Sequence, residues 1–169
     1  MAHCTRLFIG EPAAFTLFRR DLPGCTLFRL RPGAGLVVLP LDEALQDRMH
    51  RLNGTGDWMD GSGPALSSTD FAFAARASAD APLAYIETDY SEGSGLQHAV
   101  LWRGGTLAIG PLTLDIQLSE KRPTSLWPIN VVLRALGVAA TFAEDEFSRT
   151  GLADYRTNDA IVERAARLS

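Results

Sequence analysis

Apolar and polar residues alternate along the middle third of the chain, and this period of two predicts β-strands. Glycine-rich loops separate the alternating runs. One of these loops, Gly104-Gly105, has the length and composition of a two-residue hairpin turn. The strands predicted for this antiparallel sheet cover residues 83–90, 96–103, 106–109 and 112–118.

The predicted turns set a register that separates a covered face of the sheet from a wetter face. The glycine turn places Trp102 opposite Leu107. A loop over 91–95 places Ile86 opposite Val100. The covered face then carries Ala84, Ile86, His98, Val100, Trp102, Leu107 and Ile109. The wetter face carries Tyr85, Glu87, Asp89, Gln97 and Arg103.

Helical spacing and capping residues predict the remaining elements. Asp42 is a typical N-cap, and Asn53-Gly54 is a typical end for the helix that follows it. Segment 13–20 fits either a helix or a strand. Further strands are predicted over 5–10, 25–31 and 35–39, and further helices over 68–79, 128–137, 144–149 and from 157 or 158 onward.

Together these elements predict a single α+β domain over 1–169, an antiparallel β-meander with helices packed on one side. The length of 169 residues and the 46% hydrophobic content are typical of a soluble globular domain. No run approaches the roughly 20 apolar residues that span a bilayer. No signal-peptide pattern opens the chain. The sequence therefore predicts a cytoplasmic protein with no membrane partner.

The formal net charge of −4 is concentrated in one part of the chain. Residues 85–120 hold five acids and a single arginine. A weakly acidic protein without a dense basic run is a poor partner for nucleic acid, because such binding depends on neutralising phosphates. An acidic region of this kind can instead steer a basic partner, or it can simply keep a sheet face solvated.

Familiar catalytic and cofactor motifs are missing. The glycine-rich loop 54–64 lacks the Gly-Lys-Ser/Thr of a phosphate loop, and no Gly-x-Ser-x-Gly elbow occurs. Two cysteines, Cys4 and Cys25, are expected as buried free thiols, although the strands that carry them could be neighbours. The three histidines are scattered along the chain. We therefore predict no cofactor and no metal.

Two groups of residues are candidates for function. Trp58, in the glycine-rich loop, either anchors a partner or folds back onto the core. Glu87 and Asp89 share a strand face about 7 Å apart, which suits solvation, partner contact or acid/base chemistry by two carboxyl groups. An alternative hypothesis is a hydrolase-type enzyme that uses Glu87 and Asp89, with His98. A third hypothesis is a homodimer that buries one edge of the meander.

Two blocks resemble a family of small uncharacterised bacterial cytoplasmic proteins. The first, AYIETDYSEGSGLQHAVLWRGGTLAIGP, contains Y-[IV]-E-T-x-Y followed by G-x-G-x-Q-x-A-x-x-W. The second, PINVVLRALGVAATFAEDEFSRTGLADYR, contains the helix motif INxxLRxLGV. Proteins of this style resemble the immunity partners of polymorphic bacterial toxins.

That resemblance implies a non-enzymatic protein-binding module without a cofactor, one that neutralises a cognate toxin by occluding its active site. An acidic or aromatic surface would make the contact. The residues expected to bind the partner protein are Tyr85, Glu87, Asp89, Tyr90, Glu92 and, as an outlying anchor, Trp58.

Overall fold

A six-stranded antiparallel sheet runs through the chain in the order β2-β3-β1-β4-β5-β6. The computed structural model describes residues 3–31, 35–59, 63–91, 94–116 and 123–166. The strands are β1 (His3–Gly10), β2 (Phe28–Arg29), β3 (Val37–Pro40), β4 (Leu83–Ser91), β5 (Ser94–Arg103) and β6 (Thr106–Asp115).

Two of the helices begin at side chains that cap them, and the first of these caps, Asp42, is the predicted one. The Asp42 carboxylate accepts the Leu45 N–H at 2.7 Å, and Ser67 with Asp70 forms a reciprocal capping box at the start of a second helix. Segment 13–20 is helical, a 3₁₀ turn (Pro12–Phe15) that continues into α1. The α-helices of the described residues are α1 (Thr16–Asp21), α2 (Glu43–Asn53), α3 (Ser68–Ala77), α4 (Pro128–Ala135), α5 (Glu146–Thr150) and α6 (Asn158–Ala166).

Both faces of the sheet are covered, which corrects one part of the predicted fold. The α+β class and the antiparallel sheet are confirmed. On one face, the first face, Phe8, Tyr85 and Trp102 pack with residues of α1, α2 and α3. On the opposite, second face, Leu7 and Ile86 pack with α4 and α6. The apolar residues of both faces exclude water from each side, and the described residues form a single domain.

The register of β4 and β5 differs from the predicted one by a residue. Tyr85 lies opposite Val100, and Ile86 lies opposite Ala99. The reason is a shorter connection than expected, since the strands pair as far as Ser91 and Ser94. A slip of one residue moves side chains to the other face, so Trp102 shares a face with Tyr85 rather than with Ile86. The Trp102–Leu107 pair is confirmed.

Strands β2 and β3 are shorter than predicted, β1 is longer, and the cysteines are more accessible. The strand expected over 25–31 is reduced to Phe28–Arg29. Cys4 is exposed and Cys25 is half-buried, so the expectation of buried thiols is wrong, while both are free as predicted. The first two predicted strands are not neighbours, because β3 lies between β1 and β2 in the sheet.

Candidate functional site

The predicted partner-binding residues do not form one continuous surface. Tyr85, Glu87 and Asp89 lie on the first face of the sheet, whereas Tyr90 lies on the second face, because side chains alternate along β4. Trp58 lies in the loop after α2. Glu92 lies outside the described residues.

Tyr85 and Glu87 form a structural latch rather than a solvated pair. Tyr85 is completely buried. Its hydroxyl donates to Glu87 Oε2 at 2.9 Å, and the Ala65 N–H donates to the same oxygen at 2.8 Å. Burial raises the pKa of Tyr85 well above its ordinary value, and the neighbouring Glu87 charge adds to this shift. The latch ties the chain before α3 to β4, so the prediction that Tyr85 lies on a wet face is wrong.

Asp89 is the exposed acid of this strand face. It is exposed on β4, opposite Cys4 of β1 and Leu96 of β5. Of Glu87 and Asp89, Asp89 is therefore the one that a partner can reach without displacing a hydrogen bond between described residues.

His98 lies beside Glu87, which corrects the sequence-based placement. The two residues are paired across β4 and β5, so they share a face. The His98 Nδ1 is 2.9 Å from Thr113 Oγ1. Burial lowers the pKa of His98, and the Glu87 charge opposes that shift. An imidazole next to a carboxylate is an arrangement that proton transfer can use.

A second cluster, Ser67, His50 and Asp70, has the composition of a catalytic triad but not its geometry. His50 Nε2 is 3.2 Å from Asp70 Oδ2 and 3.4 Å from Ser67 Oγ. A triad needs the two partners on different ring nitrogens. Ser67 Oγ also accepts the Asp70 N–H as a helix cap. The cluster therefore anchors the start of α3. The sequence analysis missed it, and the Ser-x-x-Asp spacing at 67–70 is the signal that could have found it.

This cluster supports Trp58. The Trp58 ring meets the His50 ring edge to face, with 5.5 Å between centroids. Half of Trp58 is nevertheless exposed, at 53%. Trp58 therefore does not fold back into the core, and its role as an anchor for a partner stays a prediction.

Hydrogen bonds to the N-terminal end of α3 hold the loop that carries Trp58. Thr69 Oγ1 donates to the carbonyls of Gly54 and Thr55 at 2.7 and 2.9 Å. The backbone N–H of Asp57 donates to Ser68 Oγ at 3.0 Å. Gly56 has a positive φ of 66°, and a Cβ there would lie 2.9 Å from Thr69 Cγ2, so this position needs glycine.

Tyr90 belongs to a different site. Its ring stacks on His3 with 5.1 Å between centroids and 11° between planes. Both residues line a cavity of about 210 Å³ between the second face of the sheet and the chain around α4 and α5. Burial raises the pKa of Tyr90, as does the Asp145 charge, while Arg156 opposes the shift. His3 was not a predicted site residue, because a histidine next to the N-terminus carries no pattern.

No known family, curated protein or solved structure matches this chain. The resemblance to immunity-like proteins stays a prediction. Within the described residues, no cluster of histidine, cysteine or acidic side chains is arranged to hold a metal ion. No helix in the same part of the chain is long and apolar enough to cross a membrane.

Proposed function

We propose that the protein is a non-enzymatic protein-binding module whose contact is centred on Trp58. The observation that carries the proposal is a half-exposed tryptophan on a loop held by hydrogen bonds. Tryptophan is enriched among residues that dominate binding energy. The segment 54–57, which leads into Trp58, is held by these hydrogen bonds, and chain already fixed in shape loses little conformational entropy when a partner docks.

The exposed neighbours of Trp58 favour a partner with a basic and apolar surface. Asp57 is exposed, and Met59 is 37% exposed. The Glu87 latch holds residue 65 against β4, and Asp89 follows two residues later on the same face. Carboxylates at the rim of an interface act mainly on association rate and partner choice. On the resemblance described above, the partner would be a bacterial toxin whose active site this surface occludes.

Site-specific photocrosslinking tests this proposal. A benzophenone amino acid replaces Trp58 in one variant and Phe142 in a matched control. Phe142 is a fully exposed aromatic in the loop after α4, and α4 packs on the second face of the sheet. We expect one discrete protein adduct from position 58 and none from position 142. An adduct from position 142 alone, or equal labelling from both, contradicts the proposal.

Charge reversal at Asp89 tests separately whether this carboxylate contributes to the contact. Asp89→Lys is the suitable variant because Asp89 is exposed, whereas replacing Glu87 would also break the latch. We expect slower association with the crosslinked protein and a smaller effect at high salt, where surface charges are screened. An unchanged association rate at low salt would remove Asp89 from the contact.

A second candidate is a hydrolase-type enzyme that uses Glu87 and Asp89 with His98. The observation that favours it is the position of His98 opposite Glu87 on one face. The enzyme would turn over a substrate from a panel of esters, phosphodiesters and glycosides, and His98→Gln would abolish turnover while the fold stays intact. Turnover that survives His98→Gln, or no turnover at all, eliminates this candidate.

A further inference from the structure

The cavity that contains His3 and Tyr90 is lined by two polar atoms that have no hydrogen-bond partner among the described residues. Gln97, on β5, is 4% exposed, and its Oε1 is buried without a hydrogen bond. His3 is 6% exposed, with Nδ1 2.7 Å from Thr88 Oγ1, and its Nε2 makes no hydrogen bond that meets the usual geometry. Buried polar atoms are nearly always paired in folded proteins. An unpaired amide oxygen in a cavity wall is therefore a place where a ligand can donate.

The same cavity contains an acidic side chain with no cationic partner among the described residues. Asp145 lines it, and none of the ion pairs in this part of the chain includes Asp145. Burial raises the pKa of Asp145, but hydrogen bonds from Ser148 and Asn130 outweigh burial and bring the pKa below its usual value. The carboxylate is thus ionised at neutral pH.

Aromatic rings supply a further part of the wall. Tyr90 stacks on His3, and the Phe147 ring meets the edge of the His3 ring with 5.8 Å between centroids. Trp127 also lines the cavity. Aromatic faces attract cations, most strongly where water is excluded. The positive charge of Arg156 also acts on His3 and Tyr90, but its side chain is exposed and screened by water.

We propose that this cavity binds a small organic cation with N–H donors, a primary ammonium or amidinium group on a compact apolar body. The charged nitrogen would donate to Gln97 Oε1 and face Asp145, and the apolar body would lie against Trp127 and Phe147. An anion would be repelled by the negative charge of Asp145. The volume of about 210 Å³ is below the range of drug-sized pockets, which limits the ligand to a small molecule. This inference is independent of the Trp58 surface.

The test compares two probes of nearly equal shape with the full chain. Benzylamine is charged at neutral pH, and benzyl alcohol is its neutral counterpart. We expect saturable one-to-one binding of benzylamine by calorimetry, with benzyl alcohol bound about tenfold more weakly or worse, because only the amine gains the Asp145 charge. Equal binding of the two probes would indicate that the cavity takes a neutral ligand, and it would overturn the proposal that the ligand is a cation. No binding at millimolar concentrations would indicate a cavity that holds water only.

Three variants locate the binding. Asp145→Asn removes the charge while asparagine keeps the helix cap, and Gln97→Leu removes the unpaired acceptor. Asp154→Asn is the control, an exposed carboxylate bound to Arg31. We expect about tenfold weaker binding for Asp145→Asn, weaker binding for Gln97→Leu, and no change for Asp154→Asn. Binding that is the same in all three overturns the proposal, and circular dichroism checks that each variant is folded.

Discussion

Replacing Glu87 by alanine tests the view that this acid is a structural latch. Glu87 accepts hydrogen bonds from the buried Tyr85 hydroxyl and from the Ala65 N–H. Leaving the Tyr85 hydroxyl without a partner costs about 1–3 kcal/mol, and the partly exposed Ala65 N–H adds about 1 kcal/mol. We therefore expect a total loss of about 2–4 kcal/mol. For a chain of this size, that corresponds to a fall in Tm of about 4–16 °C.

The assay is urea unfolding followed by tryptophan fluorescence, with Asp89→Ala as the matched control. Asp89 lies two residues away on the same strand face and is exposed, so its replacement is expected to change the free energy of unfolding by less than about 0.5 kcal/mol. Tyr85→Phe removes the hydroxyl itself. In the double variant the combined loss is therefore smaller than the sum, by about 1 kcal/mol. Equal stabilities of Glu87→Ala and Asp89→Ala would refute the latch.

Two further predictions concern buried titratable groups. Burial lowers the pKa of His3 and of His98, so below about pH 6.5 the unfolded chain binds protons that the folded chain excludes. The free energy of unfolding, measured by urea titration, is therefore expected to fall from pH 7 to pH 5 by up to about 1.4 kcal/mol per pH unit for each histidine. An equally strong pH dependence in the variant with asparagine at both positions would contradict this. Arg134→Met leaves the 2%-exposed Glu146 carboxylate without its ion-pair partner at 2.7 Å. Because Arg134 itself is half-exposed, we expect the free energy of unfolding to fall by about 2–3 kcal/mol. The control, Arg149→Met at the surface, is expected to lose less than about 0.5 kcal/mol in the same unfolding assay.

Local patterns predicted most helices and strands because their signals are local. Asp42 begins α2 where the sequence placed it, and the helix predicted over 144–149 is found as α5 (Glu146–Thr150). The two separate strands expected over 106–109 and 112–118 are one strand, β6, across Gly110-Pro111; positions 117 and 118 lie outside the described residues. Capping depends on a few neighbouring residues and is therefore readable without the rest of the fold.

The placement of the site depended on packing that no local pattern encodes. The alternation in β4 correctly put Tyr85, Glu87 and Asp89 on one face, but it did not show that α3 and the chain before it cover the half of that face nearest Tyr85. The connection between β4 and β5 set the register, and an error of one residue separated His98 from Glu87. Tyr90 alternated to the other face as the period requires.

The central claim is tested most directly by the affinity of the Trp58→Ala variant for the partner protein that photocrosslinking identifies. Binding is measured by calorimetry with the wild-type chain, Trp58→Ala and Phe142→Ala. If Trp58 is the anchor, its loss costs about 2 kcal/mol or more, about 30-fold in Kd, while Phe142→Ala binds like the wild type. Equal Kd values for Trp58→Ala and the wild type would contradict the account.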